Sequence, residues 1–285
     1  MSDGYESWLE GGARTHLTLG TAAREIFVRS GGVGPWCTLL HGFPTSSFDW
    51  HRVWAALGAE HRLLAFDFLG FGDSDKPAEV DAYRVGRSVG DLTKVLDELG
   101  IETAHVVGHD WGAGVAWAFA LMQPARTRKL VVLSVGHPAR FGRRTIAQRE
   151  LSWYMLLFQF PEAEEILRKD DWALAREWMA THPERDAALE RLARPGALTA
   201  GLNWYRANMH PSRELQDAPP PPSATVDTLG LWSSGDRFLL EDGVKGSAEY
   251  VDGIWRYERI EGAGHWMQLD APERVSALLL DFLTA

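Results

Sequence analysis

The stretch VVGHDWGAG, residues 106–114, decides how the rest of the chain is read. An apolar, β-branched run, AHVVGH (104–109), predicts a buried strand. A sharp turn flanked by Gly108 and Gly112 follows, and then the start of a helix. The outline is that of the G-x-S-x-G nucleophile elbow, whose small flanking residues let the chain fold closely on itself and lift the central side chain clear of the sheet. Here the central residue is Asp110. A helix beginning near Trp111 would aim its first amides at that carboxylate and favour the anion. Taken alone, GHDWG also reads as a helix N-cap, where Asp is a favoured residue. Its partners elsewhere in the chain must decide.

Around this elbow, short β-rich runs alternate with helical patterns. Strands are predicted at 24–29, 35–40, 61–68, 104–109, 129–135, 227–233 and 254–260. Val85, Val89, Leu92, Val95, Leu96 and Leu99 recur at helical spacing, and Gly100 supplies a stop. The alternation predicts an α/β fold with a mostly parallel sheet flanked by helices. One segment breaks it. From His137 to about residue 218 the pattern is helical and rich in large apolar residues, and it ends at the four prolines of DAPPPPSATV, a stiff connector. This predicts a core of residues 1–136 and 223–285 with a helical insertion, 137–222, before the last core strands.

Composition narrows the function. The 285 residues are 45% hydrophobic, enough for one large α/β domain with an insertion. The net charge of −10 without a basic run gives no reason to expect nucleic-acid binding. The single cysteine, Cys37, lies in the apolar run WCTLL and reads as a small core residue. The first twenty residues show no basic segment followed by an apolar one, which argues against a signal peptide. No stretch approaches the roughly 20 apolar residues of a membrane span. A cytoplasmic protein is the default expectation.

Three further motifs supply partners for Asp110. HGFP, residues 41–44, follows a predicted buried strand, so the Phe43 N–H can join the Trp111 N–H in an oxyanion hole. His41 itself reads as structural, hydrogen-bonded within its loop. GAGHW places His265 in a loop between the last strand and the last helix, late enough to complete the order nucleophile, acid, histidine. SSGDRFL places Asp236 directly after a strand. The rival loop, GHPAR, offers no carboxylate, and Glu241 and Asp242 read as surface residues.

HGFP, GHDWG, SGD and GAGHW, in this order and framing nearly the whole chain, resemble the α/β-hydrolases, and among them the epoxide hydrolases. The resemblance implies an α/β-hydrolase fold with a helical cap at the predicted insertion. It also implies two cap tyrosines that hold the epoxide oxygen: SWYMLLFQFP places the first on Tyr154 and LNWYR the second on Tyr205. Trp153 and Trp204 are expected to pack nearby or line the substrate pocket.

The residue types suit that chemistry. An ionised Asp110 can attack a saturated carbon without a base, giving an ester that water must cleave. His265 would then activate the water, with Asp236 orienting the ring. Tyrosine remains a proton donor at pH 7 and can serve an opening epoxide. A halide needs no proton but does need N–H donors. Haloalkane dehalogenases often carry Asn where this chain has Phe43, and fluoroacetate dehalogenases carry Arg where it has Trp111. The expectation is hydrolysis of a small apolar epoxide to a vicinal diol, with water as co-substrate and no metal, cofactor, nucleic acid or membrane. Haloalkane dehalogenation is the alternative, and a ligand-binding homologue without turnover is the alternative of another class. The oligomeric state is left open.

Overall fold

The computed structural model describes residues 13–19, 24–141, 144–215 and 219–285. Its strands are β1 (Ala13–Leu19), β2 (Arg24–Gly32), β3 (Trp36–Leu40), β4 (Arg62–Phe66), β5 (Ala104–His109), β6 (Thr127–Leu133), β7 (Thr228–Ser233) and β8 (Trp255–Ile260). They form one sheet in the order β1-β2-β4-β3-β5-β6-β7-β8. β1 pairs antiparallel with β2, and β2 with β4; every later pairing is parallel. The inner strands are mostly apolar because helices cover both faces. β5 and β7 are buried along their whole length.

Three helices fill the first connections: α1 (His51–Gly58), α2 (Val85–Glu98) and α3 (Trp111–Met122). The apolar face predicted for α2 is the one it buries, with Val89, Leu92, Val95 and Leu96 inside. Gly100, at φ +65, stops it as expected. There the Gly100 N–H donates to the Asp97 carbonyl at 3.0 Å and the Ile101 N–H to that of Leu96 at 2.8 Å, a Schellman end that needs the left-handed residue between.

Between β6 and β7 the described chain is helical: α4 (Pro138–Phe141), α5 (Ile146–Leu151), α6 (Tyr154–Leu157), α7 (Ala163–Trp178), α8 (Arg185–Leu192) and α9 (Ala197–Asn208). α7 is broken at Lys169–Trp172, where Asp170, Asp171 and Trp172 take positive φ. The segment sits over the loops that follow β3, β4 and β5. Trp204 Nε1 donates to the Leu69 carbonyl at 3.0 Å, and Asn208 Nδ2 to that of Tyr83 at 2.8 Å. The chain closes with α10 (Glu241–Lys245), α11 (Met267–Asp270) and α12 (Pro272–Thr284). α1 and α12 share one apolar cluster on one face of the sheet; α2, α3 and the inserted helices share the other.

One strand departs from the sequence reading. β1, ARTHLTL, alternates only at its end, in Leu17 and Leu19, and only Leu19 is buried, so this edge strand offers too short a hydrophobic period to read. Cys37 is fully buried, and burial pushes its thiol up to about 12. The signal-peptide expectation rests mainly on residues 1–12, outside the described residues. Among the described residues no helix is long and apolar enough to cross a membrane.

Candidate active site

Asp110 sits between β5 and α3 at φ +52, ψ −121, a conformation that side chains other than glycine rarely adopt. It is held there by crowding. A Cβ on Gly112 would lie 2.1 Å from the Leu40 carbonyl oxygen, and one on Gly42 would lie 2.4 Å from the Asp110 Cβ. The Phe43 N–H donates to Asp110 Oδ1 at 2.8 Å. Trp111 opens α3, so its N–H is among the amides with no partner inside the helix. His41 is structural: Nδ1 donates to the Gly42 carbonyl at 2.9 Å, and Nε2 accepts from the Phe68 N–H at 3.0 Å.

His265 lies in the loop between β8 and α11. Its Nδ1 is 2.8 Å from Asp236 Oδ2, and its Nε2 is 3.6 Å from Asp110 Oδ2. Asp236, in the turn that follows β7, uses its other oxygen to accept from the Phe238 and Leu239 N–H groups at 2.8 and 3.0 Å. The His265 carbonyl accepts from His109 Nε2 at 2.9 Å, which fixes the loop against β5.

Burial and charge then set the protonation states. Burial alone would lower His265, but the Asp236 charge and the hydrogen bonds and charge from Asp110 prevail and raise it to about 10. Burial alone would raise Asp110, yet the paired imidazole and the Phe43 N–H hold it below the usual carboxylate range. The resting pair is therefore imidazolium and carboxylate. Burial, helped by the His265 charge, pushes His109 down to about 3, so it stays neutral beside them.

Tyr154 begins α6 and Tyr205 lies on α9. Both are buried, with ring centroids 5.9 Å apart. With Asp110 and Trp111 they line a cavity of about 480 Å³ whose other walls include Val85, Leu121, Met155 and Met209. Burial first, and then the Asp110 charge, raises both phenols well above 10. Each therefore keeps its proton at neutral pH.

Of the two readings given to Trp153 and Trp204, packing nearby or lining the pocket, the second fails for both. Trp153 is 45% exposed and lies outside this cavity. Trp204 is fully buried but packs against Phe68 and Trp111 rather than lining the cavity. Each precedes a cavity tyrosine by one residue, and one residue turns about 100° around a helix. Glu241 and Asp242 pair with Arg259 and Arg140 and stay away from His265. Other contributors were not visible in the sequence. Pro221 and Pro222 of the connector form cavity wall, and the Phe238 ring stands 5.1 Å from His265 and 5.7 Å from Tyr154.

Comparison with known proteins gives the fold and the family. The family model for the alpha/beta hydrolase fold matches residues 38–272. Epoxide hydrolase 3 of Xenopus tropicalis is 32% identical, over 98% of this chain and 77% of its own length. Epoxide hydrolase A of Mycobacterium tuberculosis is 31% identical, over 96% of this chain and 98% of its own. The crystal structure of epoxide hydrolase A from Mycobacterium thermoresistibile, 30% identical, superposes with a TM-score of 0.78 over 96% of this chain and 99% of that one. The chain, in which helices inserted between β6 and β7 lie over the loop that carries Asp110, belongs to the epoxide hydrolase family of the α/β-hydrolase fold.

Proposed function

We propose that this chain hydrolyses small apolar epoxides to vicinal diols through an ester on Asp110, with residues 137–222 acting as the cap. The observation that carries the reading is the pairing of an Asp110–His265–Asp236 constellation with two buried, protonated tyrosines on one apolar cavity.

The two Asp110 oxygens have different surroundings, which divides their roles. Oδ2 faces His265 and is the nucleophile; Oδ1, bound to the Phe43 N–H, becomes the ester carbonyl. Oδ2 forms a bond to an epoxide carbon as that carbon's bond to the ring oxygen breaks. Tyr154 or Tyr205 passes its proton to the departing oxygen. Alkylation removes the charge of Asp110, one of the groups that held His265 up at about 10. The imidazolium is thereby made more acidic, and its proton returns through solvent to the phenolate. His265 is then neutral when a base is needed.

Water attacks the Asp110 carbonyl carbon and loses a proton to His265. The oxyanion on Oδ1 is stabilised by the Phe43 and Trp111 N–H groups. Collapse expels the diol oxygen, which takes the proton from His265. The regenerated carboxyl then reprotonates the imidazole, restoring the resting ion pair.

Styrene oxide and 1-bromobutane separate this reading from dehalogenation. We expect diol from the first and little or no bromide from the second. Bromide release without diol formation would replace the reading with haloalkane dehalogenation. Neither product would leave a binding role.

A further inference from the structure

Gln148 is a buried carboxamide on α5 that the mechanism above does not use. Its Nε2 donates to the Phe238 carbonyl and to Ser152 Oγ, each at 2.8 Å, and its Oε1 accepts from the Leu240 N–H at 2.9 Å. Only one orientation of the amide fits this pattern, because a carbonyl must meet a donor and an N–H an acceptor. The same turn is gripped from the other side by Asp236, whose Oδ1 takes the Phe238 and Leu239 N–H groups. The five residues from Asp236 to Leu240 are thus clamped between a core carboxylate and a cap carboxamide.

The clamp has two arms. One runs through Asp236 to His265. The other runs along the cap, where Ser152 also reaches the Phe238 carbonyl at 3.4 Å and Tyr154 stands two residues on. The Phe238 ring wedges between them, against both His265 and Tyr154.

We propose that Gln148 is a positioning residue that registers the Tyr154-bearing cap on the Asp236 turn, so that one side chain sets the geometry of both ester formation and ester hydrolysis. This rests on the proposed epoxide reading for its kinetics but not for its structural readout.

Gln148→Met keeps the length and removes all three hydrogen bonds. In single-turnover experiments on the folded variant, formation and decay of the ester should both slow, by about ten- to a hundredfold, as expected when reacting groups shift by about an ångström. Gln148→Glu keeps the acceptor for Leu240 but sets an oxygen against the Phe238 carbonyl. Its ester formation should be slow at high pH and recover as pH falls, when the introduced carboxyl gains a proton to donate. It also serves if the Met variant does not fold.

A substrate-free readout is the low-field proton resonance of His265 Nδ1, identified by its loss in Asp236→Asn. We expect it to move in the Gln148 variants. A lowered melting temperature with wild-type rates and an unmoved resonance would overturn the proposal and make Gln148 merely structural. A moved resonance in a protein whose wild type forms no ester would support the clamp and defeat the epoxide reading instead.

Discussion

At the scale of single residues, burial and neighbouring charge bias the protonation of the side chains in the site. Burial and the Asp110 charge keep Tyr154 and Tyr205 protonated, and each phenol can lose its proton only as negative charge develops on an oxygen beside it. A hydrogen bond to such an oxygen contributes about 1.5–3 kcal/mol. At about 1.4 kcal/mol per tenfold, Tyr154→Phe and Tyr205→Phe should each slow ester formation by roughly ten- to a hundredfold, read by stopped flow. The double variant should nearly abolish it, while ester decay is spared. Wild-type epoxide opening in the double variant would remove both tyrosines from the mechanism. The juxtaposition of Asp110, His265 and Asp236 was legible in the sequence because each follows a strand and is flagged by glycine. Phe238 was not, because nothing in a lone apolar letter separates a ring against His265 from one in the core. Whether Trp153 and Trp204 line the cavity or only pack nearby turned on a single step of helical rotation, which the sequence leaves open.

At the scale of elements, the elbow stands on glycines that have no room for a methyl group. Gly112→Ala would place a Cβ 2.1 Å from the Leu40 carbonyl oxygen, backbone that cannot swing aside. The cost should be about 1–3 kcal/mol or more, together with loss of turnover as the Asp110 turn shifts. Gly90, inside α2, is the matched control, because an added Cβ meets nothing within 4 Å. Gly90→Ala should stabilise by about 0.5–1 kcal/mol with activity unchanged. Urea unfolding of the pair checks both signs, and equal effects would contradict the packing argument. Elements with a clear period, α2 above all, were legible to within a residue or two. β1 was not, because its burial is confined to one residue and its register comes from pairing with β2. The break in α7 was also hidden, since Asp170, Asp171 and Trp172 carry no glycine to signal positive φ.

At the scale of the whole molecule, the loops after β5, β7 and β8 carry the nucleophile, acid and base of the proposed mechanism, and the inserted helices carry its phenols. Strand–helix alternation and one long unalternating segment were enough to foresee helices between β6 and β7. The cavity between the two parts was not legible, because its walls come from residues as distant as Val85, Met155 and Pro222 and depend on how they pack. The central claim is that the two parts act in sequence on one covalent intermediate. It is tested most directly by mass spectrometry of His265→Gln after incubation with styrene oxide. The variant can still open the epoxide but cannot activate the water that releases it. The expected product is a protein heavier by one substrate, with the added mass on the peptide that carries Asp110. Unmodified protein that turns over styrene oxide at the wild-type rate would contradict it.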